Sequence, residues 1–291
     1  MVKINSLDVL NNLYSNISKN LKNIYQNSNF YDKKISKTFD NDFEYKPSPH
    51  LLSSIIKYQN KKYKIEDFAV ESIWQNKMSS KDFGKLNNFF WFFSLDLKSS
   101  KIATQSVIYK WIANNKKFDK KSWEFDLTAK RIISWLSNHQ LTYENSEKQY
   151  RSIFDHMVQK QANHLLNEIK KTKELENKMI GCAAIILTGL AYRNEKNYLE
   201  NGLNLLKKII KSSLDNQGFP KSRNIKKVIF YLKYLIIIRE WFKESQSVIP
   251  EYVEETIFYL GSSYAFVWQN IKQDIFLMEI VFQKIIILIN I

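Results

Sequence analysis

Residues 215–224 place several side chains that can bind a ligand between two long segments with helical apolar periodicity. The segment reads Asp-Asn-Gln-Gly-Phe-Pro-Lys-Ser-Arg-Asn. Gly218 can take a positive φ, whereas Pro220 fixes its own φ and favours an extended residue before it. Ser222 is a good N-cap for the segment that follows. Each feature has a structural use, so a capped connection between helices is the first interpretation and a ligand site is the second.

The chain is strongly basic. Lysine and arginine number 44 against 29 acidic residues, which gives a formal net charge of +15. This charge attracts polyanions, namely nucleic acid, anionic lipid or acidic polysaccharide. The excess is mostly lysine spread over many segments, a distribution that favours ordinary solvated faces over a dedicated nucleic-acid surface. Nucleic acid is therefore not the predicted partner.

Cysteine and histidine are not arranged for metal binding. Cys182 lies in an apolar run and is the one cysteine in the sequence, so no disulfide is predicted. The four histidines lack the i, i+4 spacing of helical metal ligands, and the closest pair is His156 and His164. We therefore predict neither a metal nor a cofactor.

Neither end of the sequence indicates a targeting or membrane segment. Residues 1–28 mix Asn, Ser and Lys with single apolar residues and show no secretory signal pattern. Residues 274–291 are apolar but carry Glu279, Gln283 and Lys284, which makes them too polar and too short for a membrane span. We predict no membrane span, and the oligomeric state stays open.

The pattern from about residue 81 onward predicts an all-α protein. Apolar residues recur at spacings of three and four, as in Phe83, Leu86, Phe90 and Phe93. The breaks are short, so neighbouring helices should be antiparallel and form a stack of αα-hairpins. The predicted segments are 81–95, 101–114, 122–138, 146–172, 176–193, 196–213, 223–245 and 250–271.

Two kinds of helix are predicted within this stack. Met179 to Tyr192 is apolar nearly all round, which is typical of an inner helix. Segments 146–172 and 196–213 alternate lysine-rich and leucine-rich faces, as outer or rim helices do. An inner and an outer layer of helices form an α/α toroid or an α-solenoid. Periodicity leaves both arrangements open, because no strict repeat length is visible in the sequence.

The first eighty residues predict a different structure. Residues 7–25 form an amphipathic helix, and Pro47 and Pro49 then mark an irregular crossing. Short extended pieces are predicted at 55–65 and 68–74. We expect this arm, residues 1–80, to pack across the helical body.

Three segments together resemble the heparinase II/III-like proteins of bacteria, in their N-terminal α/α-toroid domain. They are Trp123-Glu-Phe-Asp-Leu-Thr-Ala-Lys-Arg-Ile-Ile-Ser-Trp135, Gln161-Ala-Asn-His-Leu-Leu-Asn-Glu168 and Gln217-Gly-Phe-Pro-Lys-Ser-Arg-Asn224. The resemblance spans about residues 60–275. It implies an incomplete α/α toroid over residues 81–275. It implies a lyase that acts on a uronic-acid polysaccharide by β-elimination. It also implies a location in the periplasm or cell envelope.

The resemblance assigns roles to individual residues. β-Elimination removes the proton next to a uronate carboxylate, so an enzyme must neutralise that carboxylate, supply a base and protonate the leaving oxygen. By resemblance, Asn163 beside His164 would donate its amide to the carboxylate, and Tyr231 would act as acid or base. Arg223 would bind a carboxylate or sulfate, because its planar fork matches such groups. The other expected substrate contacts are Gln217, Asn224 and Trp135. Trp123 and Trp91 are further candidates for stacking on a sugar ring.

Structural roles compete with each of these assignments. Asn163 and His164 can lie on the polar face of a long helix, and Arg223 can form a surface ion pair. Tyr231 and Trp135 can belong to the core, as aromatic residues at helical spacing commonly do.

The resemblance also concerns the C-terminal residues. The lyases complete their site with a C-terminal β-sandwich, which we do not expect before Ile291. Related proteins pass from the last toroid helix into Phe-Asn-Gly, whereas this sequence reads Phe276-Leu-Met-Glu279. Loss of one nucleotide would convert Phe-Phe-Asn-Gly into that run, which suggests the hypothesis that residues 276–291 are frameshifted.

Two functions from different classes follow. The first is a heparinase II/III-like toroid domain that binds or cleaves an acidic polysaccharide. The alternative is a non-catalytic helical scaffold that binds a protein or nucleic acid through a basic concave face. The two differ in whether the Asn163–His164 pair and the 217–224 loop converge on one cleft.

Overall fold

The computed structural model describes residues 6–39, 43–48, 51, 79–193 and 196–270. Its helices in chain order are α1 (Ser6–Gln26), α2 (Asn29–Ile35), α3 (Ser80–Asn87), a 3₁₀ helix (Phe90–Ser94), α4 (Lys101–Asn114), α5 (Phe125–Ser137), α6 (His139–Thr142), α7 (Lys148–Glu168), α8 (Leu175–Ala191), α9 (Lys196–Ser213), α10 (Ile225–Glu244) and α11 (Glu251–Asn270). The all-α prediction is confirmed, and the toroid stays a prediction. The extended pieces at 55–65 and 68–74 and the tail at 276–291 lie outside the described residues.

Helix α8 is the centre of the helical packing. It contacts α5, α7, α9 and α10, and every residue from Met179 to Ala191 is buried. The prediction of an inner helix is confirmed. A side chain at Gly189 would place its Cβ 2.4 Å from the backbone nitrogen of Leu199, so the close approach of α8 and α9 requires glycine there.

Helix α7 is not the outer or rim helix that its lysine-rich face predicts. From Phe154 onward most of its residues are buried, including Gln159 and Lys160. The reason is that the N-terminal arm covers this face. The Lys160 ammonium lies 2.7 Å from an Asp32 carboxylate oxygen, and the Gln159 amide exchanges two hydrogen bonds with the backbone of Phe39. The polar residues of this face are therefore satisfied by protein instead of water.

The arm continues across the body to its far helices. The backbone N–H of Glu44 donates to the carbonyl of Ala191 at the end of α8 (2.9 Å). The Tyr45 hydroxyl donates to the Glu244 carboxylate at the end of α10 (2.7 Å). The described part of the arm thus touches α7, α8 and α10.

Several helix termini meet at one end of the body. The Lys227 ammonium in the first turn of α10 lies 2.6 Å from the Glu176 carboxylate in the first turn of α8. Gly181 of α8 packs against the ring of Phe125, which begins α5. Helix α7 ends at Glu168, only a short connection before α8. The starts of α5, α8 and α10 and the end of α7 therefore share this end.

Candidate functional site

A cleft of about 850 Å³ opens at this end of the body. It is bounded by α1, α3, the residues that lead into α5, and the end of α7. Its aromatic lining residues are Phe83, Phe118, Trp123 and Phe125. Its charged lining residues are Lys22, Lys120, Lys121, Lys171, Glu124 and Glu168. The four lysines outnumber the two carboxylates, so the cleft is basic.

Glu168 ties two of these lysines to the wall of the cleft. Its carboxylate oxygens lie 2.5 Å from the Lys22 ammonium and 3.1 Å from the Lys171 ammonium. Burial would raise the pKa of Glu168, but hydrogen bonds from the two lysines outweigh burial and hold that pKa below its ordinary value. Glu168 is therefore an ionised anchor between α1 and α7.

Lys120 and Lys121 are held in a tight turn before Trp123. One oxygen of Asp119 accepts hydrogen bonds from the backbone N–H groups of Lys121 and Ser122 and from the Ser122 hydroxyl. Both lysine side chains are exposed at the cleft, and neither pairs with any carboxylate among the described residues. These two ammonium groups are available to a ligand.

His164 lines the cleft, yet only 2% of its surface is exposed. Its Nε2 lies 3.1 Å from the carbonyl oxygen of Trp123, an atom that can only accept, so Nε2 carries the hydrogen. Its Nδ1 then accepts from the Tyr31 hydroxyl (2.7 Å). Burial lowers the pKa of His164 to about 4, so the ring is neutral at pH 7. The imidazole thus links the arm to the Trp123 turn, with both nitrogens in use.

Stability should depend on pH because of His164. Its pKa is lower in the folded state than the ordinary value of 6.5, so the unfolded chain binds more protons between these two pH values. We expect about 3 kcal/mol of stability to be lost as the pH falls from 6.5 toward 4. Urea unfolding of the wild type and of His164→Gln at several pH values measures this loss. The free energy of unfolding should depend less steeply on pH in the variant than in the wild type.

Some slope should persist in His164→Gln, because the pKa values of His139 and His156 are also lowered, first of all by burial. An identical slope in the variant and the wild type would show that His164 is not the group responsible.

Arg131 is buried on α5 and does not line the cleft. Its Nε donates to the Gln161 amide oxygen (2.7 Å) and one terminal nitrogen to the Asn87 carbonyl (2.8 Å). The guanidinium stacks over Trp111, 3.8 Å from the ring centroid. No described carboxylate pairs with it, and burial lowers the pKa of its guanidinium. It remains a cation whose charge helps to lower the pKa of His164.

Asn163 has a structural position. Its Nδ2 donates to the carbonyls of Ile35 and Lys37, both at 2.9 Å. Its Oδ1 accepts from the Tyr198 hydroxyl (2.9 Å). Both amide hydrogens are therefore used to hold the arm on α7, which differs from the expected donation to a substrate carboxylate.

The 215–224 segment is a turn that connects α9 and α10, which agrees with the interpretation as a connection between helices. Gly218 takes a φ of 74°, as predicted, and packs against Tyr259. The Asp215 carboxylate accepts from the backbone of Gln217, an exposed residue, and lies 2.8 Å from a terminal nitrogen of Arg223. The Arg223 side chain is 68% exposed, so its ion pair is a surface one.

The N-cap prediction at Ser222 is wrong. Asn224 caps α10, and its side-chain oxygen accepts from the Lys226 N–H (2.9 Å). Arg223 takes a φ of 55°, which ends the turn one residue before Asn224 and delays the start of the helix. The Asn224 oxygen is thus used by its own helix.

Tyr231 and Trp135 lie in the core, which agrees with the structural role that competes with a site role for both residues. Tyr231 is 3% exposed and burial raises the pKa of its hydroxyl. Trp135 is fully buried between Phe89, Trp111 and Phe154. Neither lines the cleft.

Of the predicted site residues and stacking tryptophans, His164 and Trp123 are in the lining of the cleft. The 217–224 loop lies at the same end of the body, beside the start of α10, but does not contribute to that lining. The residues that sequence reasoning missed are Lys22, Lys120, Lys121 and Phe118. Their signal was weak, because Lys120–Lys121 resembles many other lysine pairs in this chain.

Comparisons with protein-family models, curated proteins and solved structures give no match to this chain. In the described ranges, no cluster of His, Cys, Asp or Glu could hold a metal ion, and no helix is long and apolar enough to cross a membrane. Fold and cleft define the class: an all-α protein with a basic, aromatic-lined cleft at one end.

Proposed function

We propose that this chain binds an acidic polysaccharide in the basic cleft, as part of a heparinase II/III-like toroid domain. The observation that carries the proposal is the combination of four lysines with four aromatic residues around one opening. Acidic sugars need both kinds of contact, because each residue of the polymer has an apolar ring face and a charged substituent.

The aromatic side chains provide the apolar contact. Phe83, Phe118 and Phe125 are each half-buried, so part of each ring faces the cleft. Trp123 is 1% exposed and serves as a rigid base against which Phe118 packs. A sugar ring that lies on the phenylalanines would remove their exposed area from water.

The lysines provide the charged contact. Lys120 and Lys121 are exposed, held in position by the Asp119 turn, and separate from the Glu168 pairs. The field of a chain with net charge +15 attracts a polyanion before contact. Asn23 on α1 lines the same cleft and supplies an amide group for sugar hydroxyls.

The proposal is limited to binding. β-Elimination, which the resemblance implies, needs a base and an acid beside the sugar. Both nitrogens of His164 and both amide hydrogens of Asn163 already have partners, and Tyr231 is buried. Turnover would need other groups or another arrangement of these residues.

Titration calorimetry with a uronic-acid oligosaccharide tests the proposal. The wild type should bind it, and affinity should fall as salt is added, because screening weakens contacts between exposed charges. Lys120→Gln/Lys121→Gln should bind about tenfold more weakly. Lys208→Gln/Lys211→Gln, two exposed lysines of α9 outside the cleft, removes the same charge and should bind like the wild type.

Equal weakening of binding in both double variants would show that net charge alone causes the effect. It would refute the cleft as the polysaccharide-binding site. Stronger binding to a single-stranded oligonucleotide than to the oligosaccharide would favour the scaffold alternative instead.

A further inference from the structure

The C-terminal half of helix α1 presents polar side chains to the body and apolar side chains to solvent. Lys22, Asn23 and Gln26 line the cleft. The opposite side of the helix carries exposed apolar residues at spacings of three, four and three: Tyr14 is 78% exposed, Ile17 57%, Leu21 62% and Ile24 69%. We name these four residues the α1 stripe. A soluble surface helix normally has the reverse orientation, so the stripe needs an explanation.

Basic residues follow the stripe without competing acids. Phe30, at the start of α2, is 70% exposed, and Lys33, Lys34 and Lys37 beyond it are also exposed. From Tyr14 to Lys37 the sequence has one acidic residue, Asp32, and its carboxylate is paired with Lys160. Among the described residues none of these three lysines forms a salt bridge, so the exposed residues from Tyr14 to Lys37 combine apolar side chains with positive charge.

We propose that the α1 stripe docks on an anionic lipid surface, with α1 parallel to the membrane plane. An amphipathic helix binds there by burying its apolar face among the acyl chains while nearby lysines contact the head groups. Charge complementarity selects this occupant over a second copy of the chain, since two molecules of net charge +15 repel each other. The proposal does not depend on the cleft, whose lining faces the other side of α1.

Cosedimentation of the full chain with vesicles tests the docking. Vesicles of phosphatidylglycerol mixed with phosphatidylcholine should bind the chain, and phosphatidylcholine alone should bind it far less. Leu21→Asn/Ile24→Asn should bind the anionic vesicles about a hundredfold more weakly, since two apolar side chains no longer enter the bilayer. Ile102→Asn/Val248→Asn is the matched control, because these residues are 76% and 90% exposed elsewhere. It should bind like the wild type.

A site-specific probe gives a second measurement. Cys182 is the one cysteine and is buried, so Leu21→Cys can be labelled with a polarity-sensitive fluorophore. The label should move to an apolar environment when anionic vesicles are added, and a label on Ile102→Cys should not. Folding of each variant is checked by its unfolding transition.

Three results would overturn the proposal. One is equal vesicle binding by the wild type and Leu21→Asn/Ile24→Asn. Another is a dimer without vesicles that this variant dissociates, which would assign the stripe to a second copy. The third is a label at position 21 that is already shielded without vesicles, which would assign the stripe to another part of this chain.

Discussion

Gly189→Ala should destabilise the folded protein by about 3 kcal/mol, although it adds a single methyl group. The new Cβ would lie 2.4 Å from the Leu199 nitrogen and 2.7 Å from its Cα. These are backbone atoms of α9, so no side chain can rotate away, and α8 and α9 must separate. Separation would loosen a helix that also contacts α5, α7 and α10. The free energy of unfolding, from urea denaturation followed by circular dichroism, measures the effect.

Gly84→Ala is the matched control. Gly84 lies inside α3, and a Cβ there would meet only Leu127 Cδ2, at 3.8 Å. Alanine favours a helix interior by about 0.5–1 kcal/mol over glycine, so this variant should be as stable as the wild type or slightly more stable. If Gly189→Ala behaved in the same way, that result would contradict the close approach of α8 and α9 at Gly189.

Arg131→Met should lower the free energy of unfolding by about 2–4 kcal/mol. Methionine fills a similar space against Trp111 but leaves the Asn87 carbonyl and the Gln161 amide oxygen without their donor. The loss is partly offset, because a buried charge with no carboxylate partner is itself unfavourable. Arg131→Lys should also destabilise, since an ammonium cannot reproduce the fork that reaches both acceptors. Urea denaturation at neutral pH gives the free-energy differences.

Arg151→Met is the control for this substitution. Arg151 is exposed on α7, with a long contact to the Ser146 hydroxyl (3.4 Å) and a distant approach to the Tyr143 ring. Its replacement should change stability by no more than about 0.5 kcal/mol. Equal costs at positions 131 and 151 would mean that the buried hydrogen bonds of Arg131 contribute nothing.

Local patterns were sufficient to predict the helical body. α8 is apolar on all sides, and only an inner position buries every side. The positive φ at Gly218 followed from residue type in the same way. The apolarity of α8 and the glycine at position 218 can both be read from a short stretch of sequence.

The buried polar face of α7 could not be predicted from such windows. Gln159 and Asn163 look like residues of a solvated face, and their partners Phe39, Ile35 and Lys37 are more than a hundred positions away in the chain. Periodicity reports which residues share a face but not whether water or another segment covers it. Asn163 and His164 both have protein partners in this buried face, and their catalytic roles stay predictions.

The cleft escaped prediction for a related reason. Its lining comes from α1, α3, the turn before α5 and α7, and no single segment contains a recognisable motif for it. The Trp123 segment that carries the family resemblance does reach the cleft, through Trp123 and Phe125. Its other end, at Trp135, belongs to the core.

A crystal structure of the chain with a bound uronic-acid oligosaccharide would locate the ligand. We expect the sugar in the cleft, with a carboxylate beside the ammonium groups of Lys120 and Lys121 and a sugar ring against Phe118. A ligand at the 217–224 loop instead, or an empty cleft at a saturating concentration of sugar, would show that the cleft is not the polysaccharide site.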